Sequence, residues 1–190
     1  FFMCFRRQCG IFAAAVAATL PADAIVSDEA NTVGSRLPGA TASAPTHDWL
    51  CLAGGAIGQG LPLATGAAVA CPDRRVLALE ADGSAMYTPQ ALWTYAREGL
   101  DVTTVILNNG SYAVLGMELD RVGAEATGST ARDLLDLGRP DLDFVSLATS
   151  MGVPATRAHT AEELTAQLEA GLNTDGPTLI EAMVAPRPGR

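Results

Sequence analysis

Glu80-Ala81-Asp82-Gly83-Ser84, followed by Leu107-Asn108-Asn109-Gly110-Ser111-Tyr112, are the two segments whose reading decides this fold. Each begins where an apolar run ends: residues 75–79 lead into the first and residues 103–107 into the second, which places both at the carboxyl ends of strands. Between them, residues 88–98 carry a helical pattern. Such a helix takes the chain about 16 Å back across a sheet, at roughly 1.5 Å per residue. The following strand returns it about 16 Å, at roughly 3.3 Å per residue. Asp82 and Asn109 therefore end on one edge, the edge at which open α/β sheets take ligands.

The alternation continues outward. Further strands are expected at residues 24–27, 49–52 and 178–184, with a weaker one at 154–157. Further helices are expected at 57–70, 144–151 and 161–172. Strands alternating with helices on this scale predict a three-layer α/β/α sandwich with a mostly parallel sheet. The length of 190 residues suits one domain. It is expected at residues 21–186, after an irregular or helical segment 1–20 and before a tail, 187–190. Residues 123–141, polar and rich in Gly, Thr and Arg, read as the least ordered stretch. Arg6-Arg7, the apolar run 11–20 and Ala22-Asp23-Ala24 loosely imitate a secretory signal. The preferred reading is a helix packed on the domain and ending at Pro21. The chain opens on Phe, which reads as a fragment or as an irregular stretch of about the first ten residues.

The net charge of −9, with twelve Arg and no Lys, argues against nucleic acid or an anionic membrane as partner, since both need a basic face. An anionic cofactor would then need backbone N–H groups or a metal ion. Cys4, Cys9, Cys51 and Cys71 form no Cys-x-x-Cys pair, so zinc and a disulfide framework are not expected, and the reading is a reducing cytoplasm. No apolar run approaches the roughly eighteen residues of a membrane span.

If the strands before Asp82 and Asn109 are neighbours, they lie about 4.8 Å apart. Two oxygen ligands, each about 2.1 Å from a shared Mg²⁺, fit that gap. One carboxylate and one amide leave the ion under-neutralised, as a phosphate-bound Mg²⁺ requires. Gly83 lets the backbone approach phosphates, and Ser84 can donate to them from its hydroxyl or N–H. The plain alternative is a strand-turn-helix in which Asp82 and Ser84 are caps and Asn109-Gly110 a turn.

With its 27-residue interval from Asp82 to Asn109, the pair resembles the metal motif of the thiamine-diphosphate-dependent 2-oxoacid enzymes, the family of acetolactate synthases and benzoylformate decarboxylases. Ala81 stands where that motif has its first glycine. The resemblance implies Asp82 and Asn109 as side-chain ligands of Mg²⁺, Ser111 as a carbonyl ligand, and Tyr112 beside the diphosphate. Gly54-Gly55-Ala56-Ile57-Gly58-Gln59-Gly60-Leu61-Pro62 resembles the loop beneath the cofactor. Gly55 would accept from the aminopyrimidine amine and Ile57 would be the apolar wedge that bends thiamine. Asn31 and Thr32 would contact the diphosphate, with a helix N-cap as the plain alternative.

The family's catalytic glutamate comes from a pyrimidine-binding domain of a neighbouring subunit, which has no counterpart here, and Glu29, Glu80 and Glu118 are not assigned that role. The resemblance implies a homo-oligomer in the full protein, an isolated chain without turnover, and a 2-oxoacid substrate. It leaves FAD open. The favoured reaction is acetolactate-synthase-like: decarboxylation of a 2-oxoacid and transfer of the carbanion to a carbonyl acceptor. A benzoylformate-type decarboxylase, a non-catalytic cofactor-binding fragment and a nucleotide-binding oxidoreductase domain are the rivals. Beyond the site, His47 and His159 read as surface, Trp93 and Tyr95 as core, and Leu115 and Met117 as either a substrate wall or a buried helix face.

Overall fold

The computed structural model describes residues 5–123 and 129–184. In chain order the elements are α1 (Phe5–Thr19), β1 (Ile25–Glu29), α2 (Asn31–Gly34), α3 (Leu37–Thr41), β2 (Asp48–Cys51), α4 (Gly60–Ala70), β3 (Val76–Ala81) and α5 (Asp82–Ala85). Then come α6 (Ala91–Glu98), β4 (Val102–Asn108), α7 (Ala113–Arg121), α8 (Ser129–Leu135), α9 (Phe144–Ser150), β5 (Ala155–Ala158), α10 (Ala161–Leu172) and β6 (Thr178–Met183). The six strands form one sheet, ordered β2-β1-β3-β4-β6-β5, and every neighbouring pair is parallel.

Parallel strands are covered on both faces, so their sequences run apolar without a polar alternate. In β3, Leu77 and Leu79 face one layer while Val76 and Ala78 face the other. The first layer holds α1 and α10: Phe12 and Val16 pack with Leu164, Leu168 and Leu172 over Val105 and Ile180. The second layer holds α4, α6 and α9: Leu61 and Ala64 pack with Leu92, Tyr95 and Phe144 over Ile106 and Leu179. Each large apolar side chain so buried contributes about 1.5–3 kcal/mol. Residues 5–19 thus form a helix, of which Cys9, Phe12, Ala13, Ala15 and Val16 belong to the core. Among the described residues no helix is long and apolar enough to cross a membrane.

Three local expectations are corrected. α4 begins at Gly60 instead of residue 57, because the backbone N–H groups of Gly58 and Gly60 bond to Glu29. α6 begins at Ala91 instead of residue 88, after a turn through Pro89 and Gln90. It therefore spans about 12 Å, at roughly 1.5 Å per residue, and the turn covers the rest of the return. Residues 123–141 contain α8, and bridges join Ser111 to Asp136 and Gly138 to Asp141; residues 124–128 of that stretch, like the tail 187–190 and Cys4, lie outside the described residues.

Candidate functional site

After β1 the chain adds β2 on one side and β3 on the other, so strand order reverses at the β1–β3 boundary. A crevice opens at the carboxyl ends of strands at such a point. The ends of β1, β3 and β4 carry Asn31, Asp82 and Asn109 respectively.

Asp82 is buried at the tip of β3. Its Oδ2 accepts from the backbone N–H groups of Asn109 and Ser111, each at 3.2 Å, and its Oδ1 accepts from Gly83 N–H at 3.0 Å. Burial pushes its carboxyl up to about 6, outweighing the backbone N–H groups that pull the other way. Asn109 is buried too, and its Oδ1 has no hydrogen-bond partner among the described residues. A buried acceptor left unmet costs about 1–3 kcal/mol. One desolvated carboxylate and one unmet amide oxygen, on adjacent strand tips, form a donor set suited to a hard cation. Among the described residues no group of three or more His, Cys, Asp or Glu could hold a metal. A site built on one acid, one amide and backbone oxygen differs from such a cluster.

The Asn-Gly-Ser turn after β4 is braced from α8. Leu137 N–H donates to Gly110 O at 2.9 Å, and Tyr112 N–H and Ser111 Oγ donate to Leu135 O at 3.0 and 3.2 Å. The Ser111 carbonyl accepts from Ala113 N–H at 2.8 Å, leaving its second lone pair. The Tyr112 ring lies across Gly83, where a Cβ would stand 2.6 Å from Cε1. A side chain at position 83 would displace that ring. Ser84 contributes less to the crevice than its sequence suggests. Its buried hydroxyl is bonded inward, to Ala81 O at 3.0 Å and Glu80 Oε2 at 3.2 Å.

The loop before α4 holds Gly55 and Ile57, and Ile57 N–H donates to Gly55 O at 3.1 Å. Ile57 is half-buried. The loop is fastened from below by buried Glu29, which accepts from both Gly58 and Gly60 N–H. Glu80 lies in register beside Glu29. Burial, and then the charge of Glu29, hold the Glu80 carboxyl well above the usual range. A Cβ at Gly60 would collide with Glu80 Oε1 and stand 2.8 Å from Glu29 Oε2, so a side chain there would force the two glutamates to shift. Asn31, with φ of +49°, turns the chain after β1, and its Nδ2 donates to Glu29 O at 2.8 Å. Thr32, half-buried, follows it in α2. Asn31 is thus the first residue of α2 and not its cap, which is Ala30.

Other expectations divide. Tyr95 is core, donating its hydroxyl to Leu61 O at 2.6 Å. Trp93 is 53 % exposed, lies under the Arg97 guanidinium, and is no part of the core. Leu115 and Met117 are exposed on α7, which rules out a buried face. His159 is exposed, whereas His47 is half-buried, its Nδ1 2.6 Å from Pro45 O and its ring edge-on to Trp49. Sequence reading missed Glu29 and Glu80 as a buried pair. The signal was present: a glutamate inside the otherwise apolar Val76-Leu77-Ala78-Leu79-Glu80-Ala81. It also missed Glu181, buried in β6.

Comparison with known proteins agrees with this fold. Residues 33–182 match the family model described as "Thiamine pyrophosphate enzyme, C-terminal TPP binding domain". The chain is 60 % identical over 170 residues to "Putative acetolactate synthase large subunit IlvX" of Mycobacterium tuberculosis, covering 89 % of this chain and 33 % of that protein. It is 37 % identical over 165 residues to benzoylformate decarboxylase of Pseudomonas aeruginosa, covering 86 % and 30 %. The solved thiamine diphosphate-dependent 4-hydroxybenzoylformate decarboxylase of Rhodococcus jostii RHA1 superposes with a TM-score of 0.80 at 36 % identity, over 95 % of this chain and 32 % of that one. The chain thus spans about a third of the length of these relatives.

Proposed function

Because this chain belongs to the thiamine pyrophosphate enzyme family, as its C-terminal cofactor-binding domain, we propose that it holds thiamine diphosphate through a Mg²⁺ bound by Asp82, Asn109 and the Ser111 carbonyl. The observation that carries this is the unmet Asn109 Oδ1 beside the buried Asp82 carboxylate. A divalent ion satisfies both, and with one protein charge against it keeps a positive surplus for the diphosphate. Gly83, with no side chain, lets the Tyr112 ring lie against the backbone, Tyr112 flanks the diphosphate, and Asn31 and Thr32 close it from β1. Ile57 packs beneath the thiamine, and the Gly55 carbonyl accepts from its aminopyrimidine amine.

When bound, thiamine diphosphate supplies an electron sink for the charge left by decarboxylation of a 2-oxoacid. This chain's own residues bind and orient, and Glu29 keeps the loop of Gly55 and Ile57 in place. The glutamate that faces the aminopyrimidine is assigned to the remainder of a longer protein or to a partner subunit, and the isolated chain is proposed to lack turnover. Identity of 60 % to the acetolactate synthase relative supports transfer of the decarboxylated fragment to a carbonyl acceptor. The likeness to two benzoylformate-type enzymes supports a second reading, in which that fragment would take up a proton and leave as an aldehyde. Product analysis of the full-length protein with pyruvate and with benzoylformate separates the two. The cofactor reading itself is tested by calorimetric titration of thiamine diphosphate with and without Mg²⁺. Binding is expected to need the metal and to be largely lost in Asp82→Ala; unchanged affinity in that variant would refute it.

A further inference from the structure

Behind the metal loop runs a chain of polar contacts from the surface to the turn at Gly110. Arg157 of β5 donates from Nε to Glu181 Oε2 at 2.9 Å, and its Nη2, which donates to Asp143 Oδ1 at 2.8 Å, stands 2.8 Å from the same Glu181 oxygen. Glu181, buried in β6, accepts on its other oxygen from Asn108 Nδ2 at 2.7 Å. Asn108 Oδ1 then accepts from Gly110 N–H at 3.0 Å. Gly110 sits between Asn109 and Ser111.

The direction of these bonds matters. An ionised carboxylate only accepts, so Glu181 forces the amino end of Asn108 toward itself and the carbonyl end toward Gly110. Arg157 in turn only donates, and it holds Glu181 Oε2 in place. We propose that Glu181, held by Arg157, is a positioning residue: acting through Asn108, it sets the turn that presents Asn109 Oδ1 and the Ser111 carbonyl to the metal. This role rests on the Mg²⁺ reading of the site. It predicts that neutralising Glu181 misaims the ligands without touching them.

In Glu181→Gln the amide oxygen is claimed by Arg157, the stronger donor, which turns the new amino group onto Asn108. Asn108 must then flip, and its own amino group meets Gly110 N–H. Adding Asn108→Asp supplies a carboxylate that accepts from both, so the double variant restores every bond with the polarity of one link reversed.

The test measures Mg²⁺ affinity by calorimetry at saturating thiamine diphosphate, alongside thermal melting without metal. Glu181→Gln is expected to weaken Mg²⁺ by about 10–100-fold, the usual effect of losing a group behind a metal ligand. Asn108→Asp/Glu181→Gln is expected to recover most of that loss. Parent-like Mg²⁺ affinity in folded Glu181→Gln overturns the role, as does a folded double variant that stays weak. Should Glu181→Gln not fold, the double variant decides alone. A parent chain showing no Mg²⁺-dependent uptake of thiamine diphosphate would instead overturn the site reading, and this role with it.

Discussion

Asn109 donates its backbone N–H to Asp82 Oδ2 at 3.2 Å, tying the tip of β4 to the tip of β3 across 27 residues of chain. The bond uses the main chain of Asn109 and leaves its side-chain oxygen unmet. Backbone and side chain of one residue therefore carry separate duties, and substitution separates them.

Asn109→Ala keeps the N–H that holds Asp82 and removes the side-chain amide with its unmet acceptor. Relief of that group, worth about 1–3 kcal/mol, offsets the small void left behind. The metal-free melting temperature is expected to stay at or above the parent's. The rise on adding Mg²⁺ with thiamine diphosphate should disappear. Scanning fluorimetry with and without chelator reads both, and a parent-like rise would refute the ligand role.

The Asp82 carboxyl titrates at about 6 in the fold against an ordinary 3.8. A carboxyl raised in this way favours the folded state while protonated. Its contribution is fully present below 3.8 and is lost as pH rises through about 6, on the order of 3 kcal/mol in all. Glu80 acts in the same direction. The metal-free melting temperature should therefore fall between about pH 4 and 6, with a shallower slope in Asp82→Asn. An equal slope in both proteins would show that Asp82 is not the group responsible.

Gly60→Ala drives a Cβ against Glu80 Oε1 and Glu29 Oε2. Overpacking of this kind costs about 1–3 kcal/mol. Urea unfolding should show a loss of that size, partly recovered in Gly60→Ala/Glu80→Ala because the two sites share one space. Additive losses would refute the contact.

Glu29→Gln keeps one acceptor for two backbone donors. Hydrogen exchange should accelerate at Gly58 or Gly60, with a destabilisation of about 1–3 kcal/mol. Unchanged exchange at both would mean that Glu29 does not fasten the loop.

The strands were legible because a parallel strand buried on both faces writes itself as a continuous apolar run, as in Val102-Thr103-Thr104-Val105-Ile106-Leu107. That Asp82 and Asn109 share one edge was legible from the lengths of helix and strand between them, whereas a role for the Ser111 carbonyl follows only from the family resemblance. The start of α4 was not legible, since it depends on Glu29, 31 residues before Gly60. Trp93 and Tyr95 could not both be core: residues two apart on a helix point to different faces, and aromatic character alone does not choose between them. Glu181 lies 73 residues from Asn108, and only the sheet brings them side by side.

The crowding around Gly60 has an evolutionary corollary. Positions 29, 60 and 80 share one small volume, so they cannot drift independently. A descendant that acquires a methyl group at 60 must shed bulk at 80, and one that keeps both acids must keep the bare backbone opposite them.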